Sequence, residues 1–417
     1  MKVLMIAPQP FFEPRGTPIQ VYQRLQGLSA LQHSVDLLTY HVGQEVTIPG
    51  VTFYRSLHVP FIKEVKLGPS WPKAFLDILL FFQAIILLSR NQYDVIHSHE
   101  EAAFWSVLLS KVFRTCHVYD MGSALPRQLA SVPRWNIWPF VKLFEVLERW
   151  AINTCDAVLT IGVDLDERVK MINPAARTAF IPNRPIHTDD IGSSHISAHE
   201  LKSKLRLDGK LPVVYTGTLE RYQGLDLLLE SAKIVREHYP QVMFILVGGS
   251  PQQVEYWQSR AGACGLEDAV LFTGSVPLPE ALAYLDVAEI LVSPRTEGMS
   301  VPLKIYSYLQ SGKPIVATDI FAHSQVLDAE MAILVAPTEQ ALADGILTLA
   351  RSPDLRKRLG LRAQQFVKEK FDPADYLAKL DRVYRELGQS TRPAVQTADR
   401  PPSSKTRSVR EPWLRRP

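Results

Sequence analysis

The chain has 417 residues, 46% of them hydrophobic and 21% charged, the composition of a soluble globular protein and too long for one ordinary core, so two domains are expected. The formal net charge is +3, but residues 391–417 hold seven Lys/Arg against two Asp/Glu and leave the rest at −2, so nucleic-acid binding by the folded part is not implied. Three cysteines, Cys116, Cys155 and Cys264, are odd in number, far apart and without a zinc spacing, which argues against a disulfide framework or a structural metal and suits a reducing, cytoplasmic setting.

The N-terminus, MKVLMIAPQPFF, alternates like a buried strand and lacks a small-residue cleavage site, so 2–7 reads as the first strand and not as a signal peptide. The loop PQPFFEPRGTPIQVY leads to a helix from Gly16 in which Val21, Leu25 and Leu28 share a face. Gly16 and Thr17 can present backbone amides to a phosphate at a helix N-terminus; Thr17 as a plain N-cap with Pro18 at N1 fits equally. The loop lacks G-x-G-x-x-G, so a dinucleotide fingerprint is absent. A second strand is expected at 35–39.

Residues 74–88, AFLDILLFFQAIILL, are the most apolar stretch. With 15 residues, Asp77 and Gln83 among them, they fall short of the ~20 that a spanning helix needs. A core helix or a helix lying in a membrane interface is expected. The strand at 94–97 closes with HSHEEA, where His97 and His99 share a strand face; two ligands are too few for a metal. Residues 134–144, RWNIWPFVKLF, mix aromatic and basic side chains and suit either contact with a lipid-linked acceptor at a membrane surface or the entry of an amphipathic helix. Asp164-Leu165-Asp166 has the D-x-D spacing of a metal motif, but Asp164 with Glu167 reads better as a capping box.

Residues 184–204 are polar and without sustained periodicity, as a linker is. Beyond them, strands at 213–215, 244–247, 270–272, 290–292, 315–317 and 333–335 alternate with helices near 225–238, 252–263, 302–311 and 338–350. Such alternation builds a parallel sheet with helices on both faces. Ligands sit at the carboxyl ends of such strands, and three loops there stand out. VVYTGTLERYQG holds Gly217, which permits close backbone approach, and Arg221, a cation for a phosphate or simply a solvated surface residue. FILVGGS ends in Gly248 and Gly249, a ligand-facing pair or a tight turn. SPRTEGMSVPLKIYSYLQSGKPIVAT sets Glu297 beside Gly298; Pro302 opens a helix with Lys304 and Ser307 on one face and Val301, Ile305 and Leu309 near the other, and Gly312 ends it.

The landmarks TGTLERYQG, FILVGG, VLFTGSV, LDVAEILVSPRTEG and SGKPIVAT stand in the order found in retaining GT-B glycosyltransferases of the group 1 / family 4 type, which the chain resembles over roughly residues 1–390. The resemblance implies an α/β fold of two Rossmann-like, doubly wound parallel-sheet domains facing a cleft. Residues 1–185 would form the acceptor domain, 186–205 a linker, 206–370 the nucleotide-sugar domain, 371–390 a helix crossing back to the first domain, and 391–417 a disordered basic tail. The implied activity is transfer of a sugar from a UDP- or GDP-linked donor to a glycan or lipid-linked acceptor, with retention at the anomeric carbon, as a hexosyltransferase of polysaccharide biosynthesis. The nucleotide sugar would be a co-substrate, with no cofactor and no metal required. The enzyme would be cytoplasmic, with a peripheral contact at the inner membrane face as a further expectation.

By the same resemblance Glu297 contacts the transferred sugar near its anomeric carbon, and Asp120 is the ionisable group left beside Gly122, which stands where the family has a histidine. Donor contacts fall to Gly16, Thr17, Gly217, Thr218, Arg221, Gly249, Arg295, Gly298, Met299, Ser300, Val301, Lys304 and Ser307; His97, His99 and Glu100 line the acceptor side. The chain departs from the family pattern: Thr218 and Gln223 replace the diphosphate-clamping Arg and Lys, and Ser307 replaces the ribose-binding glutamate. Two other readings therefore stay open, a non-catalytic GT-B scaffold acting as a partner subunit and a sugar-nucleotide epimerase.

Overall fold

The structure, a computed structural model, describes all of the chain except residues 14–15, 45, 66–69, 132–134, 187–195 and 391–417. The expected linker lies partly, and the expected tail wholly, outside the described residues.

Two parallel sheets organise the rest. The first has seven strands, β1 (Lys2–Ala7), β2 (Ser34–Thr39), β3 (Val51–Arg55), β4 (Val95–His99), β5 (Cys116–Met121), β6 (Ala157–Thr160) and β7 (Thr178–Phe180), in the order β3-β2-β1-β4-β5-β6-β7. The second has six, β8 (Leu211–Thr216), β9 (Val242–Val247), β10 (Val270–Gly274), β11 (Ile290–Ser293), β12 (Ile315–Thr318) and β13 (Ala332–Val335), in the order β10-β9-β8-β11-β12-β13. The strand order reverses between β1 and β4 in one sheet and between β8 and β11 in the other, the crevices where doubly wound sheets take ligands. Central strands such as β1 and β12 are continuous apolar runs because helices cover both faces. β4, with the sequence VIHSH, is an exception: it is equally buried, yet three of its five side chains are polar.

The last helix, Pro373–Ser390, does not pack on the sheet that precedes it in sequence. Its Tyr376, Leu380, Val383, Tyr384 and Leu387 enter the core of the first sheet beside Val21, Leu25 and Leu28. Gly27 lets the two helices touch, since a Cβ there would lie 2.8 Å from Leu380 Cδ2.

Three local expectations change. The apolar helix runs Trp71–Arg90, 20 residues rather than 15, because Ser70 caps it a turn upstream of the apolar run and Pro72 sits in its first turn. Only its Leu76, Leu80, Ala84, Leu87 and Leu88 are buried, so it is a helix on the surface of the core and not within it. Among the described residues it is the one helix long and apolar enough to cross a bilayer. The helix Gly16–Ala30 begins at Gly16, which puts Thr17 inside the first turn and not at the cap. The helix Val163–Ile172 is capped by Gly162 without a side-chain bond; Asp164 lies 3.8 Å from Arg127 and makes no capping box.

Candidate active site

At the first switch point the polar residues of β4 meet Asp120 of β5 in a sealed network. Asp120, His97 and His99 are all 0% exposed. Arg24, one turn along from Val21 and Gln20 on the first helix, donates from Nε to Asp120 Oδ2 at 2.7 Å, and Gln20 Nε2 donates to Oδ1 at 3.0 Å. His97 Nε2 lies 3.2 Å from Asp120 Oδ2 and its Nδ1 2.6 Å from the Tyr384 hydroxyl. With the proton on Nε2, His97 donates to the carboxylate and accepts from the tyrosine. Arg24 also donates to the Tyr376 hydroxyl and the Ile181 carbonyl, at 3.1 and 2.9 Å. Burial by itself would raise the Asp120 pKa, but Arg24, His99 and His97 hold the carboxyl well below the usual range.

His99 is the odd member. Among the described residues neither buried ring nitrogen has a hydrogen-bond partner, Nδ1 standing 3.9 Å from Asp120 Oδ2, and burial lowers its pKa to about 3. One ligand atom each from His97, His99 and Asp120 falls within 4.8 Å of the others. These residues do not suit a dication, because Arg24 already neutralises Asp120 and would leave the ion against a fixed positive charge.

Just outside this network, Glu100 follows β4 with φ of 50°, an uncommon conformation for a residue with a side chain. It is half-buried, and Ser123 donates to its Oε2 at 2.7 Å. A Cβ on Gly122 would stand 2.6 Å from Glu100 Oε1 and 2.7 Å from Gln20 Oε1. The missing side chain at 122 is thus filled by these two. Burial, and then Glu101, raise the Glu100 pKa to about 8.

At the second switch point the loops after β8, β9 and β11 converge. Gly217 has φ of 139°, and a Cβ on Gly248 would meet the Gly217 carbonyl oxygen at 2.1 Å, so two glycine loops are pressed together. A Cβ on Gly249 would strike Leu219; the pair serves this packing. Lys304 reaches in from the helix Leu303–Ser311: its Nζ is 3.8 Å from the centroid of the Tyr215 ring and donates to Gln223 Oε1 at 3.2 Å. Arg295 lies over Tyr222, 5.2 Å from guanidinium carbon to ring centroid, and donates to the carbonyls of Glu297 and Ser300 at 2.5 and 3.5 Å. Those two bonds shape the loop around Gly298, whose φ is 127°. Glu297 and Met299 are exposed, while Ser300, Val301 and Ser307 are half-buried. Among the described residues no carboxylate pairs with Lys304 or Arg295. Burial lowers the pKa of both cations, and Arg295 lowers that of Lys304 further.

The structure gathers Gly217, Thr218, Arg295 and Lys304 around one crevice. It does not bring Arg221 there: that side chain is exposed and donates to the Tyr256 hydroxyl at 3.2 Å. Gly16 is exposed, with nothing within 4 Å of where its Cβ would be, and Thr17 is half-buried. Sequence reasoning missed Arg24, Tyr376, Tyr384 and His323. For Arg24 the signal was present, since 24 falls within the apolar stripe of Val21, Leu25 and Leu28. His323, 0% exposed, bridges Ser293 Oγ at 2.9 Å and the Thr318 carbonyl at 2.8 Å, and so ties the ends of β11 and β12 together. Nothing in its local sequence marks it.

Two doubly wound sheets with crevices at both switch points define a GT-B protein. Residues 14–183 match the family Glycosyltransferase Family 4, and 210–352 match Glycosyl transferases group 1. The chain belongs to the GT-B glycosyltransferases of this group 1 / family 4 type. It is 25% identical over 402 residues to the phosphatidyl-myo-inositol mannosyltransferase of Mycobacterium leprae, covering 94% of this chain and 98% of that one. The fold is shared with sucrose-phosphate synthase from Thermosynechococcus elongatus, with a TM-score of 0.77 and 18% identity over 94% of this chain and 100% of the other. It is shared too with Anabaena HepE, crystallised with UDP-glucose, with a TM-score of 0.70 and 16% identity over 93% and 100% of the two chains.

Proposed function

We propose that the chain transfers a hexose from a UDP- or GDP-linked donor to a hydroxyl of a glycan or lipid-linked acceptor, with retention of anomeric configuration and without a metal. One observation carries the reading: two cations, Lys304 and Arg295, lie beside the glycine turn at Gly217 with aromatic faces under them and, among the described residues, no carboxylate partner. Such a pocket lacks an anion, and a diphosphate supplies one. The relatives support donor and acceptor classes, one being a mannosyltransferase named for a phosphoinositide and another having been crystallised with UDP-glucose.

In this reading the donor diphosphate lies along Gly217, Thr218 and the Gly298–Ser300 amides, with Lys304 and Arg295 bearing its charge. Glu297, exposed at the loop tip, faces the sugar. The acceptor occupies the first crevice at Glu100, with Asp120 and the two histidines setting its floor from within. Departure of the nucleotide diphosphate leaves its charge on oxygens already met by these donors, so transfer needs no Lewis acid.

The acceptor side also presents an apolar surface suited to a bilayer. Trp71, Phe75, Ile78, Phe82 and Ile86 fall at helical spacing on one exposed face. The Trp71 ring lies 5.8 Å from that of Trp135, and Trp138 beyond it is 76% exposed. We infer peripheral attachment through this face, at the cytoplasmic side of a membrane where a lipid-linked acceptor is presented.

A screen of UDP- and GDP-sugars for release of the nucleotide tests the transferase reading. Turnover that falls about 10²-fold or more in Glu297→Ala supports it; undiminished turnover in that variant contradicts the mechanism. The scaffold reading is favoured by Thr218, Gln223 and Ser307 standing in place of family charges, and requires that neither UDP nor GDP bind.

A further inference from the structure

Resting on the acceptor crevice proposed above, we propose that Gln20 and Glu100 form a subsite for a primary ammonium, so that the acceptor is an amino-bearing glycan that docks its amine here and offers a hydroxyl to the donor. Two oxygens converge over Gly122, just past the end of β5. A Cβ on Gly122 would stand 2.6 Å from Glu100 Oε1 and 2.7 Å from Gln20 Oε1, which leaves the two oxygens near enough for one bound nitrogen to reach both. Gln20 is 3% exposed, yet its oxygen accepts no hydrogen bond among the described residues. Its orientation is fixed from within. Asp120, held ionised by Arg24, accepts from Gln20 Nε2 at 3.0 Å, and a carboxylate can face only the nitrogen of the amide. The amide oxygen is thereby turned to Gly122. Asp120, itself 0% exposed, is a positioning residue for that oxygen.

Neither oxygen can satisfy the other. The Glu100 carboxylate has only lone pairs, and the Ser123 hydroxyl gives its one hydrogen to Glu100 Oε2 at 2.7 Å. A substrate hydroxyl brings one hydrogen and serves one of the two oxygens; a primary ammonium brings three and serves both. Charge points the same way. Among the described residues Glu100 makes no ion pair, because the lysine on this side, Lys73, lies 2.5 Å from Glu101 and Arg24 is taken by Asp120. An anionic group would meet Glu100 and Glu101 together, whereas an ammonium is attracted by both. The empty subsite meets the same need with a proton on Glu100, whose pKa burial and then Glu101 raise to about 8. An arriving ammonium sends that proton to solvent and leaves the carboxylate charged against it.

Titration of the full chain at pH 7 with D-glucosamine, D-glucose and N-acetyl-D-glucosamine, followed by saturation-transfer NMR, tests this. The three sugars share one ring and differ in whether a single carbon bears an ammonium, a hydroxyl or an uncharged amide. Glucosamine should bind at least about tenfold more tightly than the other two. In Glu100→Gln, which keeps the shape of the side chain, that preference should fall to within about twofold while the affinity for glucose is unchanged. Gln20→Met, a second variant, should reduce the preference by about threefold or more; melting curves verify that both fold. A preference absent from the wild-type chain, whether the three sugars bind equally or none binds, overturns the proposal, and the two oxygens then hold water. A preference that survives in Glu100→Gln overturns it too. Nucleotide release from UDP- and GDP-sugars by the same chain tests the transferase reading separately: release without an ammonium preference sinks the subsite alone, and the preference without release sinks the transferase reading alone.

Discussion

At the scale of single residues, the first crevice is held by charges that solvent never reaches. Arg24 and Asp120 form a buried pair at 2.7 Å, with exposure of 1% and 0%. Removing one partner leaves the other charged and unpaired, at a cost of about 3–5 kcal/mol. Arg24→Met is therefore expected to lower stability by that order in urea unfolding, and more than Arg221→Met, whose side chain is exposed. His99 behaves in the opposite way. Its nitrogens make no hydrogen bond among the described residues, so His99→Leu should leave stability unchanged or raised.

The buried histidines also set an acid limit. Burial lowers the pKa of His99 and His117 to about 3 and that of His323 to about 4, below their ordinary values. As pH falls through about 6.5 the unfolded chain takes up protons that the folded chain refuses, so stability is complete above that pH and declines below it, until the folded values are reached. Each such imidazole contributes a slope of up to about 1.4 kcal/mol per pH unit. Glu100, whose folded pKa of about 8 makes the folded chain gain stability as pH falls over the same range, opposes this, so the diagnostic is a difference. From pH 7 to pH 5 the urea midpoint of His99→Leu should gain on that of the wild-type chain. A difference between the two chains that is independent of pH over that range contradicts the burial of the His99 ring.

At the scale of elements, the alternation of short apolar strands with amphipathic helices was readable because both periodicities are local. The strands expected at 2–7, 35–39 and across the second sheet lie where the sequence placed them. β3 and β7 were not legible: VTFYR and TAF are short, and their burial is only partial. The loop at Glu297 was visible through its Gly, Pro and charged residues, but the partners that complete the site are far away in sequence. Lys304 is 81 residues from Gln223, and Tyr384 is 287 from His97; such pairings follow from topology and leave no local mark. The apolar run at 74–88 left two readings open for a related reason, since its hydrophobicity does not say how much of it the core covers.

The last helix makes the strongest prediction at this scale. Because Tyr376, Leu380, Val383, Tyr384 and Leu387 complete the first core, ending the chain at residue 370 should abolish cooperative folding or lower the melting temperature sharply. Removing only 391–417 should leave it unchanged. The exposed helix face is tested separately: replacing Trp71, Phe75 and Phe82 by Ser should reduce co-sedimentation with phosphatidylglycerol vesicles while circular dichroism stays the same. Equal vesicle binding by the two chains contradicts membrane attachment through this face.

At the scale of the whole molecule, the proposed reading divides the labour between the two switch points. The first crevice has a floor of buried, internally neutralised polar groups; the second has cations without a carboxylate partner among the described residues. A reaction that joins a phosphate-activated sugar to a hydroxyl uses both. The central claim is that these crevices perform sugar transfer with retention, and its most direct test is proton NMR of the anomeric signal during incubation of the full chain with UDP- and GDP-linked hexoses, with and without a lipid or glycan acceptor. The account predicts release of UDP or GDP together with a product of the donor's own anomeric configuration, lost in Glu297→Ala. A product of inverted configuration, or an epimerised donor with no transfer, contradicts it.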